Sequence, residues 1–187
     1  ERTVQGETSS WNVVAGSRVW FHSKTGNYEG YYAPAKPEQI PAGTVMAFPI
    51  VAELADGTLA AFMEAGLFAY SGMTLKASGS SLLSAVFEDD PEGWKEPGEI
   101  RTPWRVTLTG PDLNTLVNSD IVHNLCPPPD ATRFPQGFST PWIRPGRSLW
   151  NWWSDSPLDL PLQKEWVDKA AGLGFEFYLV DAGWEKA

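Results

Sequence analysis

Basic charge, cysteine and long apolar runs are what this 187-residue chain has least of. Fourteen Lys and Arg stand against 23 Asp and Glu, a formal charge of −9 that argues against nucleic acid as a partner. The single Cys126 permits no internal disulfide, so cysteine usage leaves the compartment open. No apolar run approaches the roughly 18 residues that span a bilayer, which excludes a transmembrane helix and a membrane partner of that kind. His22 and His123 sit far apart, without Cys or carboxylate partners at metal spacing, which argues against zinc. Neither a Gly-x-x-x-x-Gly-Lys phosphate loop nor a Gly-x-Ser-x-Gly nucleophile elbow occurs.

What remains is a globular mixture. Hydrophobic residues make up 42% and charged residues 20%, enough to bury a core and too apolar for a disordered tail. The length suits one ordinary domain or pieces of two. Ten tryptophans stand out beside 16 prolines and 17 glycines. An indole offers a large apolar face and one N–H donor, so it serves a core or a flat sugar-binding surface, and composition does not choose. The chain begins at Glu1 with neither an initiator Met nor a signal-peptide pattern, and it stops shortly after an apparent buried strand. These ends suggest a fragment of a longer protein.

The first two-thirds read as antiparallel β. Val45 to Leu54 is a largely apolar strand, Asp56-Gly57 signals a hairpin turn, and Thr58 to Phe62 returns as its partner. Leu82 to Phe87 is another apolar run. Trp104 to Thr109 alternates, with Trp104, Val106 and Leu108 on one face. Gly110-Pro111 ends it, and Asp112 to Val117 is expected as a helical turn. The prediction is a β-sandwich over residues 1–126. Residues 127–146, rich in proline, read as a linker that is neither sheet nor helix.

Residues 147–187 change rhythm. Ser148 to Trp152 reads as a strand. A helix opens at Pro161 behind Asp159 and closes at Gly174, with Leu162, Trp166, Ala170 and Leu173 as its apolar stripe. Phe175 to Val180 reads as a strand buried on both faces of a parallel sheet. Strand, helix and strand form a βαβ unit, which fits the opening of a (β/α)8 barrel. The fold class expected is therefore a β-rich piece of a multidomain α/β protein: a sandwich followed by the first βαβ unit of a barrel.

In βα architectures ligands meet the C-terminal ends of strands. Asn151, Trp152, Trp153 and Asp155 fall at or beyond the first strand end, and Asp181 at the second. Asp181 is placed either to accept sugar hydroxyls or to cap its own turn, and the residues leave both open. Glu88-Asp89-Asp90 reads as a solvated turn, and Cys126 as a small structural side chain.

Several motifs, in one order along nearly the whole chain, resemble glycoside hydrolase family 97. They are Trp20 with Tyr28-Glu29; DGTLAAFMEAGLFAYSGMTL, Asp56 to Leu75; TPWRVTLTG, Thr102 to Gly110; and DLNTLVNSDIVHNLCPPP, Asp112 to Pro129. WIRPGRSLWNWW, Trp142 to Trp153, and FEFYLVDAGW, Phe175 to Trp184, complete the series. The resemblance implies an N-terminal sandwich, a catalytic barrel and a smaller C-terminal β domain. It implies an α-glucosidase or α-galactosidase acting on oligosaccharides, typically in the periplasm or secreted. It also implies a calcium ion beside the active site, with Glu64 matching the ligand that the sandwich supplies. A lone Glu64 would not hold calcium, and further ligands are expected beyond Ala187. Without that role, Glu64 would be an exposed charge at the hairpin end.

By the same resemblance Asp181 and Trp184 match a sugar-contacting loop, with Asn151 and Trp152 lining the same pocket. Ala182 stands where many members carry an acidic residue, a departure that bears on substrate choice. Leu149 to Trp153 resembles the retaining group slightly more than the inverting one. The family's catalytic carboxylates follow later barrel strands, so no Asp or Glu here is assigned as acid, base or nucleophile, Asp155, Asp159 and Glu185 included. The fragment alone is expected to be inactive. The alternatives are a non-catalytic carbohydrate-binding sandwich protein and a purely structural sandwich module. Oligomeric state is not readable.

Overall fold

Short apolar runs broken by Gly, Pro and Asp become strands because a pleated chain buries alternate side chains while its turns face water. The computed structural model describes residues 1–25, 30–154 and 158–183. Tyr28-Glu29, Asp155, Trp184 and Glu185 of the sequence reading lie outside them. The chain divides into two units, Glu1–Pro128 and Pro129–Ala187.

The first unit is built from antiparallel sheets. Its strands are β1 (Arg2–Val4), β2 (Ser10–Asn12), β3 (Arg18–Phe21), β4 (Ala33–Ala35), β5 (Val45–Met46) and β6 (Ile50–Glu53). They continue as β7 (Leu59–Ala65), β8 (Thr74–Ala77), β9 (Leu82–Val86), β10 (Trp94–Glu96) and β11 (Trp104–Gly110). A five-stranded sheet runs β11-β7-β6-β3-β4, a four-stranded one β2-β9-β8-β5, and β1 pairs with β10. Val19, Met46, Ile50, Phe62, Leu75 and Leu83, drawn from both larger sheets, form the main core. Burying each such side chain contributes about 1.5–3 kcal/mol.

The expected strand from Val45 to Leu54 is in fact two strands in different sheets. β5 pairs with β8 and β6 with β3 and β7. Pro49, preceded by a cis peptide bond, has no N–H for a ladder, and the chain crosses between sheets there. The turn at Asp56-Gly57 forms as expected. Gly57 takes a φ of 86°, Leu54 N–H donates to Thr58 O at 2.8 Å, and Thr58 N–H donates to Asp56 Oδ1 at 2.9 Å. The returning strand β7 runs on to Ala65, so Glu64 lies inside it and not at a free hairpin end.

Val106 and Leu108 do share a face. It packs on α1 (Leu113–Val117) and neighbours α2 (Ile121–Asn124), with Ala61, Ala65 and Leu116 in a second cluster. Trp104 begins the same strand but remains 59% exposed. Asp112, expected as the first residue of the helical turn, stands just ahead of α1 and caps it by accepting Thr115 N–H at 2.7 Å.

The second unit opens with turns and a 3₁₀ turn, Gly137–Ser139, in the proline-rich stretch expected to have no helix. Strand β12 (Ser148–Trp150), helix α3 (Leu160–Gly172) and strand β13 (Phe177–Leu179) follow, the strands parallel with Trp150 opposite Leu179. Asp159 is the N-cap residue of α3, a proline stands in its first turn, and Gly174 takes a φ of 70° just past its end. Of the expected stripe, Ala170 is buried, Leu162 and Trp166 are half-buried and Leu173 is exposed. Phe175 to Val180 is not buried on both faces. Only Tyr178 turns to the helix, while Phe177, Leu179 and Val180 are exposed, because among the described residues one helix covers one face of the pair.

Candidate functional site

Two polar arrangements carry the candidate residues, one in each unit. In the first, Glu64 and Arg105 are directly opposed in the β7–β11 ladder, and both side chains point between the sheets. Arg105 Nη1 donates to Glu64 Oε1, and Met73 N–H donates to Glu64 Oε2 at 3.0 Å. On its other side the guanidinium meets Glu7, with Nη2 donating to Oε1 and Nε to Oε2 at 3.0 Å. Glu7 also accepts from Ser9 Oγ at 3.0 Å and Tyr70 Oη at 3.1 Å. The three charged side chains are only 10–14% exposed.

Electrostatics separates the two glutamates. Burial pushes both carboxyls up. At Glu7 the hydrogen bonds and charge of Arg105, with Ser9 and Tyr70, outweigh burial and hold it below its ordinary 4.5. At Glu64 burial prevails over the Met73 and Arg105 contacts, and the negative Glu7 adds to it, so the group sits above 4.5. The Tyr70 phenol is pushed up to about 12 by burial and by Glu7. Two carboxylates on one guanidinium leave one net negative charge, and Glu64 is the less compensated partner.

Among the described residues no group of three or more His, Cys, Asp or Glu side chains gathers as a metal site. Calcium takes six to eight oxygens, so these residues do not make a calcium site by themselves. A hard, under-compensated carboxylate with one donor on each oxygen fits a single ligand. The expected alternative, an exposed charge, is overturned by its burial. His22 is also buried, its Nδ1 3.0 Å from Ser23 O.

In the second unit, side-chain parity sorts the candidates. Leu149 and Tyr178 face α3, and Tyr178 Oη lies 2.6 Å from Gln163 Oε1 and 2.8 Å from Asn151 Oδ1. Asn151 is 5% exposed and belongs to this helix-facing side. Burial also pushes the Tyr178 phenol up. Ser148, Trp150, Phe177 and Leu179 alternate onto the other face, where Asp181 follows. Asp181 Oδ2 accepts the Trp150 indole N–H at 3.0 Å, and Oδ1 accepts Ala182 N–H at 2.6 Å. Trp152 is 44% exposed, and Trp153 packs against Trp150 with ring centroids 5.4 Å apart.

Asp181 therefore meets Trp150, while Asn151 turns away behind the sheet. The expected placement of Asn151 beside Asp181 differs from this arrangement, in which the Asn151 side chain meets Tyr178. Strand parity counted back from Asp181 would have found Trp150. At the opposite strand ends Arg147 clamps Glu176 at 3.0 Å and through its backbone N–H at 2.7 Å, which holds that carboxyl down at about 2.

The profile of the glycosyl-hydrolase 97 N-terminal domain matches residues 1–128. The chain belongs to glycoside hydrolase family 97. A probable retaining alpha-galactosidase of Streptomyces bingchenggensis is 31% identical over 185 residues, covering 97% of this chain and 28% of that relative. A retaining alpha-galactosidase of Bacteroides thetaiotaomicron is 24% identical, over 84% of this chain and 28% of its own length. Among solved structures, a family 97 enzyme from Pseudoalteromonas sp. strain K8 in complex with acarbose superposes with a TM-score of 0.76 at 24% identity. The match covers 98% of this chain and 30% of that enzyme. A variant of that enzyme in complex with panose matches equally well. These likenesses show the family 97 fold, and the chain spans under a third of each relative. Among the described residues no helix is long and apolar enough to cross a membrane.

Proposed function

We propose that this chain is part of a glycoside hydrolase that cleaves α-glycosidic bonds of oligosaccharides, with α-galactosides favoured and anomeric configuration retained. The observation that carries the reading is the 31% identity to a relative named as a probable retaining alpha-galactosidase, over 97% of this chain. On this reading β12, α3 and β13 begin a (β/α)8 barrel. The parallel pairing of β12 with β13 across α3 supports it. The general acid and the nucleophile stand on later barrel strands, roughly 5–5.5 Å apart in a retaining enzyme.

Asp181 accepts sugar hydroxyls, Trp152 and Trp184 give apolar contact, and Asn151 supports them from behind through Tyr178. Glu64 supplies one calcium ligand, the others coming from outside these residues. The net negative charge around Arg105 supports that assignment. Bound calcium would supply positive potential beside the sugar. The enzyme works in the periplasm or outside the cell, where oligosaccharides are met.

The test is turnover of aryl α-galactosides and α-glucosides by the longer protein, with the product anomer read by NMR. Retained α-galactose is the expected product. Oligosaccharide binding without turnover of either substrate would overturn the enzyme reading in favour of a sugar-binding sandwich protein. Calcium titration of Glu64→Gln should show weakened binding, and unchanged affinity would remove Glu64 from the ligand set.

A further inference from the structure

We propose that Trp150 is a positioning residue that fixes the Asp181 carboxylate for the sugar. The inference rests on the reading of Asp181 as a sugar-hydroxyl acceptor and adds to it a residue to which the motifs gave no role. Trp150 is the last residue of β12 and stands opposite Leu179 in the parallel register. Two residues on from Leu179, Asp181 returns to the same face. The indole N–H spans the strands to Oδ2 at 3.0 Å, while Ala182 N–H holds Oδ1 at 2.6 Å.

With a donor on each oxygen, the carboxylate cannot rotate without losing a charge-assisted hydrogen bond. Indole is a donor only, so it occupies one acceptor position of the carboxylate and does not compete with it as an acceptor. Each carboxylate oxygen keeps a second lone-pair direction. That pair of fixed acceptor positions suits two neighbouring hydroxyls of a pyranose. The Trp153 ring lies 5.4 Å from the Trp150 ring, tilted by 51°. A turn cap alone needs only the Ala182 contact, so the second donor from another strand is what marks a held carboxylate.

The experiment is a double-mutant cycle in the longer protein: Trp150→Phe, Asp181→Ala and both together. KM and kcat are measured on an aryl α-galactoside, and galactose affinity by calorimetry. Trp150→Phe keeps a ring but loses the donor. It should raise KM and the galactose Kd about tenfold or more, as for one hydrogen bond to a charged group, with a smaller change in kcat. In the Asp181→Ala background the same substitution should change affinity little. Trp150 replaced by its benzothiophene analogue, which keeps the ring shape and lacks the N–H, should reproduce the loss even if Phe disturbs folding. Wild-type affinity with that analogue, or additive losses in the cycle, would overturn the inference while leaving Asp181 as a sugar contact. Wild-type affinity in Asp181→Ala would instead overturn the reading on which it rests.

Discussion

Arg105 and Glu64 face each other across the β7–β11 ladder, and their ion pair closes between the sheets and not on the surface. A cross-strand charge pair in water contributes roughly 0.2–1 kcal/mol. Here the same register puts both groups where water screens them less, and Glu7 is brought in to take up the rest of the guanidinium. Arg105 thus ties β7, β11 and the segment before β2 into one polar knot at the end of the core.

Removing the centre of that knot should be costly. Arg105→Met leaves two buried carboxylates without their counter-charge, and a loss of about 3–5 kcal/mol in unfolding free energy is expected. Urea denaturation of wild type and variant measures it. A loss within the range of an exposed pair would mean that the cluster is hydrated.

The two glutamates should give opposite pH signatures. Glu7 titrates below 4.5 in the folded chain, so it adds stability above that pH and the contribution fades as pH falls through its folded pKa. Glu64 titrates above 4.5, so the folded state holds its proton more tightly and stability declines as pH rises from 4.5 through the folded pKa. Glu7→Gln should flatten the acid limb of the stability profile. Glu64→Gln should remove the decline above 4.5. Denaturation midpoints from pH 3 to pH 8 on the order of one unit apart resolve both.

Gly93 allows a different check, on the pairing of β1 with β10. Its φ is 82°, and a Cβ there would stand 2.3 Å from the Val4 carbonyl oxygen. Gly93→Ala should cost about 1–3 kcal/mol in backbone strain alone and displace β1. A lowered Tm with faster amide exchange at Thr3 and Lys95 is expected, and unchanged exchange there would rule out the displacement.

What was legible in the chain was its punctuation. Asp56-Gly57, the Asp159–Pro161 opening and Gly174 each act within a few residues, and each marks the turn or helix end it announced. Less legible was whatever depends on partners distant in sequence. β5 is two residues long, too short for any alternation, and only its pairing with β8 defines it. The apolar run from Phe175 to Val180 indicates a strand, but how many faces are covered depends on what packs there. Glu64 read as a ligand or a surface charge because Arg105 and the Met73 N–H reach it only in the fold. Asn151 and Trp150 are neighbours in sequence, and a one-residue difference in parity sends them to opposite sides of the sheet.

The crossing at Ala47–Pro49 makes the two sheets of the first unit mechanically one. β5 lies at the margin of the four-stranded sheet and β6 in the interior of the five-stranded sheet, yet only three residues separate them. Peeling the marginal strand away therefore draws on the middle of the opposite sheet. The layers are therefore expected to part together, in one cooperative step and not in two independent ones.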